Sequence, residues 1–137
     1  MKNWIYEGIE FNENLIEKNA GFVYIITNQI SGKKYIGKKI FYFSKKIKGK
    51  KSKIESDWRT YFGSTDSILE DVKILGEEKF TREILRICKT KSEMSYYEAK
   101  LQFQNDCLLK PNEFYNSWIM IRVRRNQLGV PGVPGVP

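Results

Sequence analysis

Histidine is absent from this chain of 137 residues, which excludes imidazole catalysis and imidazole metal ligation at the outset. A general base must then be a Tyr, a Lys or a carboxylate, and a bound metal must accept oxygen donors. Cysteine is scarce. Cys88 and Cys107 lack metal-finger spacing and are expected to be reduced and buried, as in a cytosol. No apolar run approaches the ~18 residues of a membrane span. No charged-then-apolar leader opens the chain, so it reads as soluble, without a secretory signal or a membrane partner. Acidic residues are the minority, 16 Asp and Glu against 24 Lys and Arg, for a net charge of +8. That excess favours a polyanion, nucleic acid before an anionic membrane surface, through counterion release and long-range attraction. The length suits one domain and is too short for a catalytic domain plus a substantial recognition domain.

What is present is organised around residues 21–39, which read as a β-hairpin. Residues 22–27 are rich in β-branched and aromatic side chains, 28–32 carry turn chemistry, and 35–43 return to strand composition. Each arm bears a tyrosine, Tyr24 and Tyr35. An even loop, such as the four residues 28–31, places both phenols on one face of the sheet. Residues 1–20 form an apolar extension carrying Trp4, Ile5, Tyr6, Ile9 and Phe11, expected to pack on the domain as an extended segment followed by a short helical turn.

Residues 45–53 hold six lysines, Lys45, Lys46, Lys48, Lys50, Lys51 and Lys53, and read as a mobile surface loop that contacts phosphates. Trp58 and Phe62 read as core, while Arg59 suits a surface ion pair or a phosphate clamp equally. Ser67-x-x-Glu70 and Thr90-x-x-Glu93 are capping-box patterns opening two helices, the second running to about residue 108. Residues 80–88 read as a third strand. On the second helix, Glu98 lies on the margin of an apolar stripe formed by Met94, Tyr97, Leu101 and Leu108, where a carboxylate needs a cation, either a Lys or Arg partner or a metal ion. Arg122, Arg124 and Arg125 form a further basic cluster for phosphate contact. Residues 126–137, ending in three Gly-Val-Pro repeats, are expected to be a disordered tail or an added scar outside the fold.

Gly21-Phe22-Val23-Tyr24, followed at hairpin distance by Tyr35-Ile36-Gly37, resembles the paired half-motifs of the GIY-YIG nuclease family, the first half being loosened while keeping its tyrosine. Tyr61-Phe62-Gly63-Ser64 resembles the Tyr-x-Gly-Ser stretch of many members, and Phe114-Tyr115-Asn116 resembles the closing aromatic-Asn of the pattern. The resemblance covers residues 21–116 and implies an α+β fold, a small three-stranded antiparallel sheet flanked by helices, with the nuclease domain spanning 21–125. It implies DNA phosphodiester hydrolysis with one divalent ion, Mg²⁺ or Mn²⁺, held by Glu98. The implied catalytic set is Tyr24, Tyr35, Lys38, Arg59, Glu98 and Asn116. One phenol serves as base or water-positioning group while the other orients it, and nearby lysines plus the metal supply the field that lowers its pKa.

Arg59 stands in for the arginine that members carry soon after the second half-motif, where this chain has Lys45 and Lys46. Simple alternation puts Lys39 on the Tyr35 face, whereas a bulge at Gly37 would put Lys38 there. Tyr61 joins the lysines and arginines as a nucleic-acid contact. The small size is similar to compact phage-encoded endonucleases, which implies a host-cell cytoplasm setting. A single site cuts one strand per event, so double-strand cleavage requires a homodimer or two visits. The competing reading is a non-catalytic module on the same scaffold that binds RNA or DNA.

Overall fold

The computed structural model describes residues 3–135; Met1, Lys2, Val136 and Pro137, the last two closing the Gly-Val-Pro tail, lie outside the described residues. The chain begins with β1 (Ile5–Tyr6) and β2 (Ile9–Glu10), joined by Glu7 and Gly8, both at positive φ as a two-residue hairpin turn requires. The hairpin of the two tyrosines follows as β3 (Gly21–Asn28) and β4 (Lys34–Ile40). Then come β5 (Tyr42–Ile47) and β6 (Lys50–Glu55), helix α1 (Asp66–Leu75), strand β7 (Phe80–Cys88) and helix α2 (Lys91–Gln104).

The fold is α+β, but its main sheet is not three-stranded. Five strands run in the order β2-β1-β7-β3-β4, with β7, β3 and β4 antiparallel and β1 parallel to β7. The expected three strands form one side of this sheet, and the N-terminal segment adds the other two. The anchor of that segment is Trp4, which is buried and donates its indole N–H to the Trp58 carbonyl at 2.7 Å.

A second correction concerns residues 45–53. They are not an irregular loop: β5 and β6 pair as a separate two-stranded ribbon closed by Lys48 and Gly49, again both at positive φ. The glycine supplies a turn that lets a lysine-rich sequence form a ladder despite its composition. All six lysines lie on this ribbon and are exposed.

The two faces of the sheet bury different residues. One carries an aromatic cluster of Trp4, Phe11, Phe22, Tyr24, Phe41 and Trp58, covered by Ile68, Val72 and Leu75 of α1. Its rings meet largely edge to face, as at Trp4–Phe22 with centroids 4.8 Å apart. The opposite face buries Val23, Ile36 and Cys88 against Met94, Cys107 and Phe114, with α2 lying over it. Helix α2 is capped by Thr90, which accepts from the Glu93 N–H as one half of the capping box read from the sequence, and it ends at Gln104 rather than near residue 108. Helix α1 opens at Thr65 instead of Ser67, which lies inside its first turn.

Candidate active site

The β3–β4 register pairs Tyr24 with Gly37 and Ile26 with Tyr35. Six residues, 28–33, separate the last paired residues, Thr27 and Lys34, two more than the loop read from the sequence. The number is still even, so both phenols share the aromatic face. Their ring centroids are 6.1 Å apart. Gly37 explains how Tyr24, on an inner strand, reaches the edge of the sheet. A Cβ at Gly37 would overlap the Tyr24 hydroxyl, so the phenol crosses β4 through space that only glycine leaves empty.

Glu98 approaches the same edge from α2, on the other side of the sheet. The two sets of side chains meet around one cavity of about 290 Å³. Tyr24, Tyr35, Lys38, Glu98 and Asn116 line it, as do Ser64 and Thr65 from the start of α1, Gln102 from α2, and Ser117, Trp118 and Met120 from the chain beyond α2.

The β3–β4 ladder has no bulge at Gly37, so alternation holds and Lys39 shares the Tyr35 face. Lys39 is nevertheless directed elsewhere: its ammonium sits 4.0 Å from the Tyr61 ring centre and pairs with Asp57. Lys38 lines the cavity because the cavity lies at the sheet edge, within reach of both faces. Its Nζ bonds Ser95 Oγ at 2.7 Å and stands 3.9 Å from Glu98 Oε1.

Arg59 does not line the cavity. Its guanidinium bonds Glu55 and Glu13 and stacks on Trp58, an ion-pair role tying the N-terminal segment to the end of β6. The ribbon lysines and Arg122, Arg124 and Arg125 also lie outside the cavity, the arginines bordering a shallow depression beside Tyr96. Tyr61 packs edge-on to Tyr24 with centroids 5.8 Å apart.

Asn116 is committed to the backbone. Its Oδ1 accepts from the Ile36 N–H at 3.0 Å and its Nδ2 donates to the Ile36 carbonyl at 2.7 Å, filling the open edge of β4. Gln102 Nε2 donates to the same carbonyl at 2.9 Å. These two amides fix the strand between Tyr35 and Gly37. The sequence reading missed Gln102, although its place four residues after Glu98 puts both on one helix face.

Burial sets the proton affinities. The Glu98 carboxyl is held above its ordinary value by desolvation, against the opposing pull of the Lys38 ammonium and backbone N–H. The Tyr24 phenol is pushed well above its usual range by burial first, then by Tyr61, Tyr35 and Glu98. Tyr35 is raised as well, burial outweighing its 2.7 Å hydrogen bond with Ser64. Lys39 is turned toward Asp57 and Lys38 toward Ser95 and Glu98, and the Glu98 carboxylate, which acts on both rings, raises them further.

Among the described residues, no group of three or more Cys, Asp or Glu side chains is placed to hold a metal ion. The cavity's single carboxylate stands instead beside hydroxyl and amide oxygens, a hard donor set. Mg²⁺ is suited by one or two carboxylates, substrate phosphate and retained waters, so these residues fit such an ion.

Sheet, tyrosine pair and helix-borne carboxylate together define a GIY-YIG domain, and the chain belongs to the GIY-YIG family. Within it, the match is to the family described as "Putative endonuclease segE, GIY-YIG domain", over residues 4–119. A curated relative, "Putative endonuclease segE" of Enterobacteria phage T4, is 35% identical over 95 residues, which cover 69% of this chain and 39% of the relative. The chain thus spans about two fifths of that relative's length. No solved structure gives a significant match.

Proposed function

We propose that this chain is an endonuclease that hydrolyses DNA phosphodiester bonds at the Glu98 cavity with one divalent ion, Mg²⁺ or Mn²⁺. The observation that carries the reading is convergence: Tyr24, Tyr35, Lys38, Glu98 and Asn116, dispersed over more than ninety positions of sequence, line one cavity. Glu98 would hold the ion. When bound, the ion supplies Lewis-acid polarisation of the phosphate and stabilises the leaving oxygen.

The chain's own groups do the positioning. The Tyr24 and Tyr35 hydroxyls face the cavity, one taking the proton of the attacking water or positioning that water and the other orienting it. The Lys38 ammonium stands beside the charge that builds on the phosphoryl group. Asn116 and Gln102 hold the Ile36 peptide, and through it the spacing of Tyr35 and Gly37. Outside the cavity, the ribbon lysines and Arg122, Arg124 and Arg125 contact the DNA backbone, which positions the duplex without reading it. The phage relative favours a host-cell cytoplasm setting; among the described residues no helix is long and apolar enough to cross a membrane.

One observation favours the non-catalytic binding module as a second reading: no arginine lines the cavity, where Lys38 is the single cation among its described residues. Supercoiled plasmid incubated with the protein and graded Mg²⁺ separates the two. Nicked or linear product that disappears with a chelator supports the nuclease. Retention of plasmid without any cut under Mg²⁺ or Mn²⁺ supports the module.

A further inference from the structure

Three tryptophans lie in very different surroundings. Trp4 and Trp58 are 2% and 3% exposed, deep in the aromatic cluster, whereas Trp118 is 62% exposed. Met120, two residues on, is 72% exposed. Both line the cavity that holds Glu98 and Tyr35. The segment that carries them is held at defined points: Asn116 is bonded to the Ile36 peptide, and Ile119 packs against the Val23–Met94 side of the core. With Ile119 turned to the core, Trp118 and Met120 on either side of it both face the cavity.

Burying such side chains is ordinarily favourable, so two large apolar groups left in water at the rim of a polar cavity need a partner of matching chemistry. Arg122, Arg124 and Arg125 follow within five residues and are exposed, so the partner that satisfies this strip has an apolar π-face and a negative backbone. A nucleobase next to a phosphate meets both requirements.

Resting on the nuclease reading above, we infer that Trp118, flanked by Met120, stacks on a nucleobase adjoining the scissile phosphate, and that the substrate is held with this base at least partly unstacked from its neighbour. Trp118 is a substrate-contacting residue whose π-face accepts any base, so it selects deformable or locally open DNA rather than a sequence.

Tryptophan emission tests this directly, because the other two indoles are shielded. The Glu98→Ala protein, expected to bind without cutting, is titrated with fluorescein-labelled duplex and single-stranded oligonucleotides, anisotropy and indole emission being followed together. The expected result is quenching that tracks the anisotropy isotherm and vanishes in Trp118→Phe. On the stacking energies known for single bases, Trp118→Ala weakens binding roughly 5- to 150-fold while Trp118→Phe recovers most of it. Saturating anisotropy with unchanged emission, or equal affinity of the Ala and Phe variants and the parent, overturns the stacking role while leaving the nuclease reading intact. No anisotropy change with any oligonucleotide overturns both.

Discussion

Gly37 is the residue on which the geometry turns, because its missing side chain is the passage for the Tyr24 phenol. Gly37→Ala forces a buried ring from its place, and overpacking of this kind costs about 1–3 kcal/mol. The expected outcome is a lower thermal midpoint together with a large loss of cleavage; a fully active, equally stable variant would show that the passage is not needed. Glu98 carries a different signature. Its folded-state pKa is raised, so its favourable contribution is present below the ordinary glutamate value and is lost as pH rises through the raised one. At neutral pH the ionised carboxylate therefore costs stability. Glu98→Gln is expected to abolish cleavage while leaving the thermal midpoint at pH 7 unchanged or higher. For the same reason the acid limb of kcat/KM, measured at subsaturating Mg²⁺, falls above the ordinary Glu value of about 4.3. A limb at or below that value would contradict the desolvated setting. Tyr24, Tyr35 and Glu98 were legible from their places in the half-motifs and on the helix. The direction of the phenol shifts was not, because burial and the aim of each lysine depend on packing that no local pattern encodes.

At the level of elements, the tyrosine hairpin, the third strand and the Thr90 cap were all readable from period and turn chemistry. The two N-terminal strands were not, since two-residue strands are shorter than any alternation that could announce them. Trp4 nevertheless fastens them to the aromatic cluster. Trp4→Ala is expected to destabilise the domain by about 3–5 kcal/mol, as for other buried aromatics, seen as a reduced denaturant midpoint; a shift under a third of that would mean the segment is dispensable. The β5–β6 ribbon escaped the sequence reading because its lysines outweighed the Lys48-Gly49 turn signal. Its outward lysines let charge be varied without touching the core. Replacing Lys46, Lys51 and Lys53 by Gln is expected to weaken DNA binding and flatten the salt dependence, the slope falling by about 0.9 for each phosphate no longer neutralised. An unchanged slope would remove the ribbon from the interface.

Across the whole molecule, the net charge of +8 supplies a general attraction for nucleic acid, while the candidate site lies at one edge of the sheet where its two faces meet. Half-motifs placed the phenols on one strand pair, but only the folded chain brings α2 around the opposite face to the same edge. Arg59 illustrates what linear order conceals: it lies closer in sequence to Lys38 than Glu98 does, yet Glu98 reaches the cavity while Arg59 serves Glu13 and Glu55 instead. The most direct measurement is strand scission of supercoiled plasmid with Mg²⁺ by the parent and by Glu98→Ala, with DNA retention followed in parallel. Cleavage by the parent, none by the variant, and equal retention by both is the predicted result. Cleavage that persists in Glu98→Ala at the parent's rate would contradict a catalytic centre at this cavity.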